Sequence, residues 1–380
     1  MKRISLFLLL FLLLKATVMY SQDGHPETNF RIVPVSPNAA SLGTYGLIPT
    51  DNYVGQARIS IPIYEIDLDG KKFPIALSYH TDGTRVAQEA TWIGLGWTLQ
   101  AGGCVVRQVQ GTDDFAARGC YNLTDAPWLT NPRFEVTDQN LEKYMGYFKG
   151  DYDAEPDMFY FNAGGHSGSM YFDVLKNNRQ LNAVPTIQTQ EKVVKMVYNT
   201  SNKTWTMTDL EGYVYSFSTK EITYYFLNTI DFFQTDITRS HIFPYYNEPQ
   251  IVTAWMLDSV TSPNGGKITF SYKKESIFTP ISTTEDVISL SKIVNGQLSS
   301  QSPQYFTNKF NYNYSYSKIE QWTLSAITFE GGKVEFGTTD REDIESAETG
   351  KKVQKLSSIK VSDTAGNLIK TTMLEYKYTA

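Results

Sequence analysis

The sequence predicts an all-β protein: successive antiparallel hairpins forming large curved or stacked sheets, with one short helix near residues 138–148. Three observations carry this expectation. Aromatic residues make up 14% of the 380-residue chain, with 25 Tyr and 21 Phe, and with Thr, Val and Ile they favour strands. Apolar and polar residues alternate over many short runs, the period of a half-buried strand. Turns bearing Gly and Asn separate those runs, as a series of hairpins requires. The apolar fraction of 41% is that of a globular chain.

The chain begins with a basic Lys2-Arg3 pair, an apolar run from Ile4 to Leu14 and a short segment ending at Ser21-Gln22. This is the pattern of a secretory signal peptide over residues 1–21, with cleavage after Ser21, although Met19 is larger than the ideal small residue. The apolar run is too short to span a bilayer. An uncleaved anchor is the alternative, and no Cys follows the run to carry a lipid. The expected location is secreted or cell-surface, with no transmembrane segment after cleavage.

Residues 22–57, rich in Pro, Asn, Ser, Thr and Gly, read as an extended lead-in. An N-terminal β domain follows over 58–217, organised around Arg58–Val109. Ile59, Ile61 and Ile63 alternate with Ser60, Pro62 and Tyr64 on the way to Asp69-Gly70, the dipeptide of a type I′ hairpin turn. Phe73, Ile75, Leu77 and Tyr79 alternate on the return. In Trp92–Trp97, the residues Ile93, Leu95, Trp97 and Leu99 are expected on one strand face. Gly94 and Gly96 would leave the other face bare for neighbouring aromatic rings, or for an aromatic ligand.

Residues 111–157 read as a loop-rich insertion. Within it, Leu141, Tyr144, Met145 and Phe148 recur at helical spacing, which places the short helix at 138–148. Strands resume at Met158–Asn162 and return as Met170–Val174. Val193–Val197 and Trp205–Thr208 then form a pair, and Tyr213–Phe217 follows the turn Asp209–Gly212. Residues 218–254 read as an irregular aromatic linker. Over 255–380 three related units recur: Trp255–Tyr272, Trp322–Phe336 and Leu356–Tyr378. Each has a short run, a Gly-bearing turn and an alternating strand, which argues for hairpins in one continuous sheet. The stretch Lys273–Gln321 links the first two units.

The chemistry-bearing residues are sparse. Net charge is −6, and about −9 without residues 1–21, with no basic cluster, which argues against nucleic acid as a partner. Cys104 and Cys120 leave two readings open. A disulfide would close a loop of about 15 residues and stabilise by roughly 3 kcal/mol, whereas a buried free Cys104 would act as a small hydrophobe. His25, His80, His166 and His241 are too scattered for a zinc site. Asp151, Asp153, Glu155 and Asp157 alternate, but the Gly and Glu positions of an EF-hand are missing, so a solvated acidic turn is favoured over a Ca²⁺ loop. The turn Gly164–Gly168 (GGHSG) lacks the glycine spacing of a nucleophile elbow, so His166 reads as a turn residue and Ser167 is not a nucleophile. No catalytic, cofactor-binding or metal residue is assigned, and the expectation is a non-enzyme without a cofactor.

Taken in order, ISIPIYEIDLDGKKFPIALSYHTDGTRV, WIGLGWTLQAGG, EPDMFYFNAGGHSG, WTMTDLEGYVYSF, AWMLDSVTSPNGGKITFSY and SIKVSDTAGNLIKTTMLEYKY resemble the N-terminal region of large secreted Rhs/YD-repeat proteins, in particular those of Bacteroidetes. The resemblance covers roughly residues 35–380. It is also similar to toxin-complex B/C components and polymorphic toxins. The resemblance implies a β-hairpin shell around a C-terminal effector, in which this N-terminal part is non-catalytic and residues 255–380 are the YD-repeat-like region. The later YD repeats, core segment and variable tip are missing after Ala380. The expectation is a truncated product or a continuation encoded separately, and no effector activity carries over. The partners it implies are further Rhs/YD-repeat polypeptide or effector cargo. An adhesin or carbohydrate-binding module, meeting surface glycans or proteins through its Tyr and Trp rings, is the alternative. A chain ending in a strand also implies that Leu374–Tyr378 lies at or near an open sheet edge.

Overall fold

The computed structural model describes residues 33–47, 58–80, 88–111, 113–116, 119–120, 153, 155–172, 185–188, 194–230, 250–289, 293–294, 297–298 and 308–378. The expected signal peptide and the helix at 138–148 lie outside them. The chain divides into two units, residues 1–31 with 110–156, and residues 32–109 with 157–380. In the first, Asp113–Cys120 turns back on itself. Ala116 N–H donates to Asp113 O (2.8 Å) and Gly119 N–H to Ala116 O (3.0 Å).

The second unit is all-β with one short helix, α1 (Pro37–Leu47). This corrects the extended lead-in. Pro37 fills the first helical position, where its missing N–H costs nothing, and Ser36 caps the helix by accepting from Ala39 N–H at 3.2 Å. Ala39 is fully buried. It packs with Cys104, Val106, Ala254 and Met256, so the helix is held by a core contact rather than by propensity.

Strands β1 (Arg58–Leu68), β2 (Lys71–His80) and β3 (Trp97–Gln100) form a small antiparallel sheet in the order β1-β2-β3. The turn between β1 and β2 has the expected hand: Asp69 has φ 51° and Gly70 φ 93°. Between β2 and β3, Trp92–Trp97 is not a strand. Gly94 (φ 122°) and Gly96 (φ 75°) bend the chain through two tight turns, closed by the Thr91 hydroxyl donating to Trp97 O at 2.8 Å. Ile93 and Leu99 are therefore buried while Leu95 is exposed, and the expected common face does not exist. The Tyr376 ring does lie over Gly94, 3.7 Å from where a Cβ would stand.

The large sheet has 14 strands. Strand β4 (Gly103–Gln108) leaves the small sheet to join it. It is followed by β5 (Met158–Ala163), β6 (His166–Tyr171), β7 (Thr186–Ile187), β8 (Val194–Asn199), β9 (Thr204–Asp209) and β10 (Val214–Ile230). Then come β11 (Gln250–Thr261), β12 (Lys267–Phe278), β13 (Ser282–Ser289), and, after the separate ribbon β14 (Ile293–Val294) and β15 (Gln297–Leu298), β16 (Asn308–Phe329), β17 (Gly332–Asp340), β18 (Gln354–Ser362) and β19 (Leu368–Met373). Its main path runs β19-β18-β17-β16-β10-β11-β4-β5-β6-β7.

Two expected irregular stretches are strand instead. The linker 218–254 is strand up to Ile230 and again from Gln250, and much of Lys273–Gln321 belongs to β12, β13 and β16. In the first stretch Glu221, Thr223 and Thr253 occupy buried positions, which hides the apolar alternation that marks a strand; in the second, Phe310, Tyr312, Tyr314 and Tyr316 do alternate with polar residues.

Pairings among four strands close on themselves: β10 with β11, β11 with β12, β12 with β16, and β16 with β10. Where the ladders part, side chains bridge. Trp322 Nε1–H donates to Lys220 O (2.7 Å) and the Tyr272 hydroxyl to Leu257 O (2.6 Å). An aromatic core of Phe159, Phe172, Tyr198, Trp205 and Trp255 fills the space over β5, β9 and β11, with Tyr198 and Trp205 centroids 4.8 Å apart. Deleting either buried Trp ring would cost roughly 3–5 kcal/mol. No helix among the described residues is long and apolar enough to cross a membrane.

Gly103 tests how tightly β4 meets β5. A Cβ there would sit 2.4 Å from Asn162 O and 2.7 Å from Ala163 Cβ, whereas at Gly165 it would meet nothing. Gly103→Ala is expected to destabilise by about 1–3 kcal/mol through overpacking. Gly165→Ala is expected to cost about 1–2 kcal/mol from its positive φ alone. Urea midpoints of the two variants check this.

Candidate functional site

The densest polar cluster of the second unit gathers at the turn Asp209–Tyr213, between β9 and β10. Asp209 Oδ1 closes the turn by accepting from the N–H groups of Glu211 (3.0 Å) and Tyr213 (2.9 Å). Its Oδ2 accepts from Lys71 Nζ at 2.5 Å and the Tyr215 hydroxyl at 3.1 Å, with His166 Nε2 at 3.7 Å. Lys71, the first residue of β2, also meets Glu211 at 2.9 Å. The Asp209 side chain is 1% exposed and that of Lys71 16%.

Position follows from local sequence. Gly164 (φ 59°) and Gly165 (φ 83°) make the two-residue turn of the β5–β6 hairpin, pairing Ala163 with His166. A Cβ on Gly164 would stand 2.3 Å from the Tyr215 hydroxyl oxygen, so glycine is required for that approach. His166 is thus the first residue of β6 rather than a turn residue. Ser167 follows it on the strand, and adjacent strand residues point to opposite faces. The imidazole therefore does not reach the neighbouring hydroxyl.

The charge states are fixed. Burial raises the Asp209 carboxyl, but the bonds from Lys71, the Tyr213 amide and Tyr215 outweigh it and hold it below the usual carboxylate range. Burial lowers Lys71, and its bonds to Asp209 and Glu211 reverse that and raise it. His166 is held below its ordinary value by burial and by the Lys71 cation. Burial pushes the Tyr215 hydroxyl up. A donor-saturated carboxylate is a poor base, and a lysine held as a cation is a poor nucleophile. The cluster clamps; it does not present a nucleophile to a base.

Other sequence candidates separate. Asp153 is buried and accepts from Glu155 N–H at 3.0 Å. Asp157, fully buried, forms an ion pair with Arg107, whose Nε lies 2.8 Å away and whose guanidinium lies over the Phe159 ring. This corrects the solvated acidic turn at those two positions; Asp151 lies outside the described residues. Among the described residues no group of three His, Cys, Asp or Glu could hold a metal ion. Cys104 is a fully buried thiol, raised by burial, and no disulfide is present. Sequence reading also missed Glu221, a buried carboxylate that accepts from Ser36 N–H (2.9 Å), the Ser36 hydroxyl and the Thr253 hydroxyl (3.0 Å). Its mid-strand position gave no signal.

At the other end of the unit, β19 pairs with β18 and ends the sheet path. Leu368, Ile369 and Met373 on it are 63%, 55% and 68% exposed. The open edge thus falls at Leu368–Met373, just before the expected Leu374–Tyr378. The last segment runs on along β18 in the same register: Leu374 N–H donates to Ser357 O (2.9 Å), and the Tyr378 hydroxyl accepts from Glu342 N–H (3.1 Å).

No family model matches the chain, and no curated protein does. Among solved structures it is similar to a chain of the Photorhabdus luminescens Tc holotoxin pore, at 9% identity and TM-score 0.40, covering 92% of this chain and 14% of that one. It is similar to a chain of the TcdB2-TccC3-Cdc42 structure at 11% identity and TM-score 0.35, covering 85% of this chain and 14% of that one. It is also similar to the N-terminal domain of the effector protein SpvB from Salmonella typhimurium, at 11% identity and TM-score 0.33, covering 84% of this chain and 99% of that one. The chain therefore spans about one seventh of the Tc chains. Likenesses this remote carry no inference about activity or partner.

Asp209→Asn is expected to destabilise the protein by roughly 3 kcal/mol at neutral pH, because it leaves the mostly buried Lys71 with only the exposed Glu211 as counter-charge. The depressed Asp209 pKa contributes stability that is present above its unfolded value of 3.8 and lost as pH falls through the lower folded value. The gap between wild type and variant should be full above about pH 5 and close toward pH 2. Urea unfolding across that range reads it directly.

Proposed function

We propose that this chain is a non-catalytic structural segment of an exported Rhs/YD-repeat-type protein, contributing to a β-rich shell or surface assembly. The observation that carries the reading is the open edge at β19, which ends three consecutive hairpin pairings from β16 to β19. An unpaired ladder with exposed apolar residues is a template for another strand. Its partner is further Rhs/YD-repeat polypeptide, and effector cargo lies with that assembly. Export by residues 1–21 would deliver the chain to the secreted or cell-surface location.

The Asp209 cluster spends its charges on tying β2, β9 and β10 together, which fits a structural role. The adhesin or carbohydrate-binding alternative needs a row of exposed rings. Trp92, Trp205 and Trp255 are buried, and Tyr378 alone among the described aromatic side chains is exposed.

Hydrogen exchange and sedimentation velocity on the purified chain test the edge. Amides of β19 should exchange quickly at low concentration and gain protection as concentration rises and a second copy pairs with the same ladder. Leu368→Lys/Met373→Lys should abolish that gain while changing stability by no more than about 0.5 kcal/mol, as for ordinary surface sites. Protection of β19 equal to that of β18 in the dilute monomer would contradict the open edge. Saturable turnover in a glycosidase, esterase or peptidase screen would contradict the non-catalytic reading.

A further inference from the structure

We infer that the cavity between the small and large sheets binds a neutral, mainly apolar small molecule of one or two rings carrying a single hydrogen-bonding group. This is independent of the assembly role, because the cavity lies within the second unit and away from the β19 edge.

The cavity measures about 290 Å³. An engineered cavity of about 150 Å³ in another protein stays dry and takes up benzene, so this one has room for a bicyclic ring. Ile66, Phe73 and Ile75 of the small sheet line one side, and Ile268, Phe270 and Ile327 of the large sheet line the other. The glycines Gly102, Gly103, Gly164 and Gly165 keep side chains out of its remaining border. Gly103 and Gly164 are dictated by close contacts beyond the cavity, but Gly165 has nothing within 4 Å of a Cβ position and Gly102 only the Phe270 ring at 3.5 Å. Gly102 and Gly165 are set by their positive φ (121° and 83°), so the open border follows from the turn conformations.

The lining also sets the chemistry of the occupant. Among the described residues no charged side chain borders the cavity, so an ionised ligand would meet no counter-charge from them. The Lys71–Asp209 pair is near, but it is screened by Tyr213 and Tyr215, whose rings pack 6.4 Å from Phe73. Polar character is limited to uncharged groups, among them Gln100, Ser167 and Thr98. Thr98 is the informative one. It is 3% exposed and its hydroxyl has no hydrogen-bond partner. It stands between the large cavity and a smaller one of about 40 Å³ that it also lines. Buried hydroxyls are almost always paired, and a polar atom on the ligand would satisfy this one after a turn about χ1. An apolar chamber with few polar groups is the usual form of a small-molecule site.

The test uses 1-naphthol, naphthalene and 1-naphthoate as probes, with the full chain and calorimetry or quenching of tryptophan fluorescence as readout. Wild type should bind 1-naphthol saturably at one site per chain, and bind 1-naphthoate at least about tenfold more weakly, the cost of desolvating an unpaired charge. Thr98→Val, nearly isosteric, should weaken 1-naphthol about fivefold to tenfold, the worth of one hydrogen bond, and leave naphthalene unchanged. Ile327→Trp, which adds a second ring's bulk to the lining, should narrow the chamber and weaken both neutral probes. If that variant does not fold, the Thr98→Val comparison and the charged probe still decide. Lack of saturable binding of either neutral probe to wild type, equal affinity for 1-naphthoate, or a Thr98→Val effect as large on naphthalene as on 1-naphthol would each overturn the proposal.

Discussion

The structure of the second unit depends on a single carboxylate. Asp209 closes its own turn with one oxygen and with the other holds Lys71 at the start of β2 and Tyr215 on β10. It is the ion-paired member of a set of polar ties between the small sheet and the large one. Around that clasp the remaining contacts are short-range consequences. The Tyr213 hydroxyl donates to Leu68 O at 3.0 Å, Phe73 packs on both tyrosine rings, and the Ser262 hydroxyl reaches Asp69 in the β1–β2 turn. Gly164 is required because Tyr215 must reach the carboxylate past the β5–β6 turn. A buried ion pair gains little over apolar packing in net energy, but it specifies geometry, because each partner is costly if left alone. Here it fixes where one sheet lies on the other.

Much of the local structure was legible because it is dictated locally. The Asp69-Gly70 turn follows from the positive φ that both residues adopt. The three units over 255–380 are hairpins as expected, closing at Ser262–Gly266, Phe329–Gly332 and Asp363–Asn367. The helix at Pro37–Leu47 was also written in the chain, in the Ser36-Pro37 start, but Gly43 and Gly46 within it concealed the signal. The Trp92–Trp97 bend reads as a strand because its apolar residues alternate; the conformation is set instead by Thr91, whose hydroxyl bonds Gly94 O and Trp97 O.

What could not be read is what depends on partners distant in sequence. Lys71 and Asp209 are 138 residues apart, and Ser36 and Glu221 are 185 apart. Neither pair has a motif, since each residue is ordinary in its own segment. Likewise β10 looks irregular in isolation because it serves different neighbours along its length. Its first half pairs with β9 and β11, and its second half with β16. Its buried positions also include Glu221 and Thr223, which breaks the apolar alternation on which sequence reading rests.

The same exchange of partners explains how the sheet both closes and stays open. Four strands, β10, β11, β12 and β16, satisfy one another in a circuit, so their ladders leave few raw edges. The strands β17, β18 and β19 then leave that circuit in order, each covering the edge of the one before. Burial falls along the series: β17 and β18 alternate between buried and accessible residues, while five of the six residues of β19 are exposed. A strand without a buried face is held by its ladder and by few side-chain ties, such as Lys370 Nζ donating to Ile63 O at 2.8 Å. Leu368, Ile369 and Met373 gain burial when a further strand or a covering surface is added.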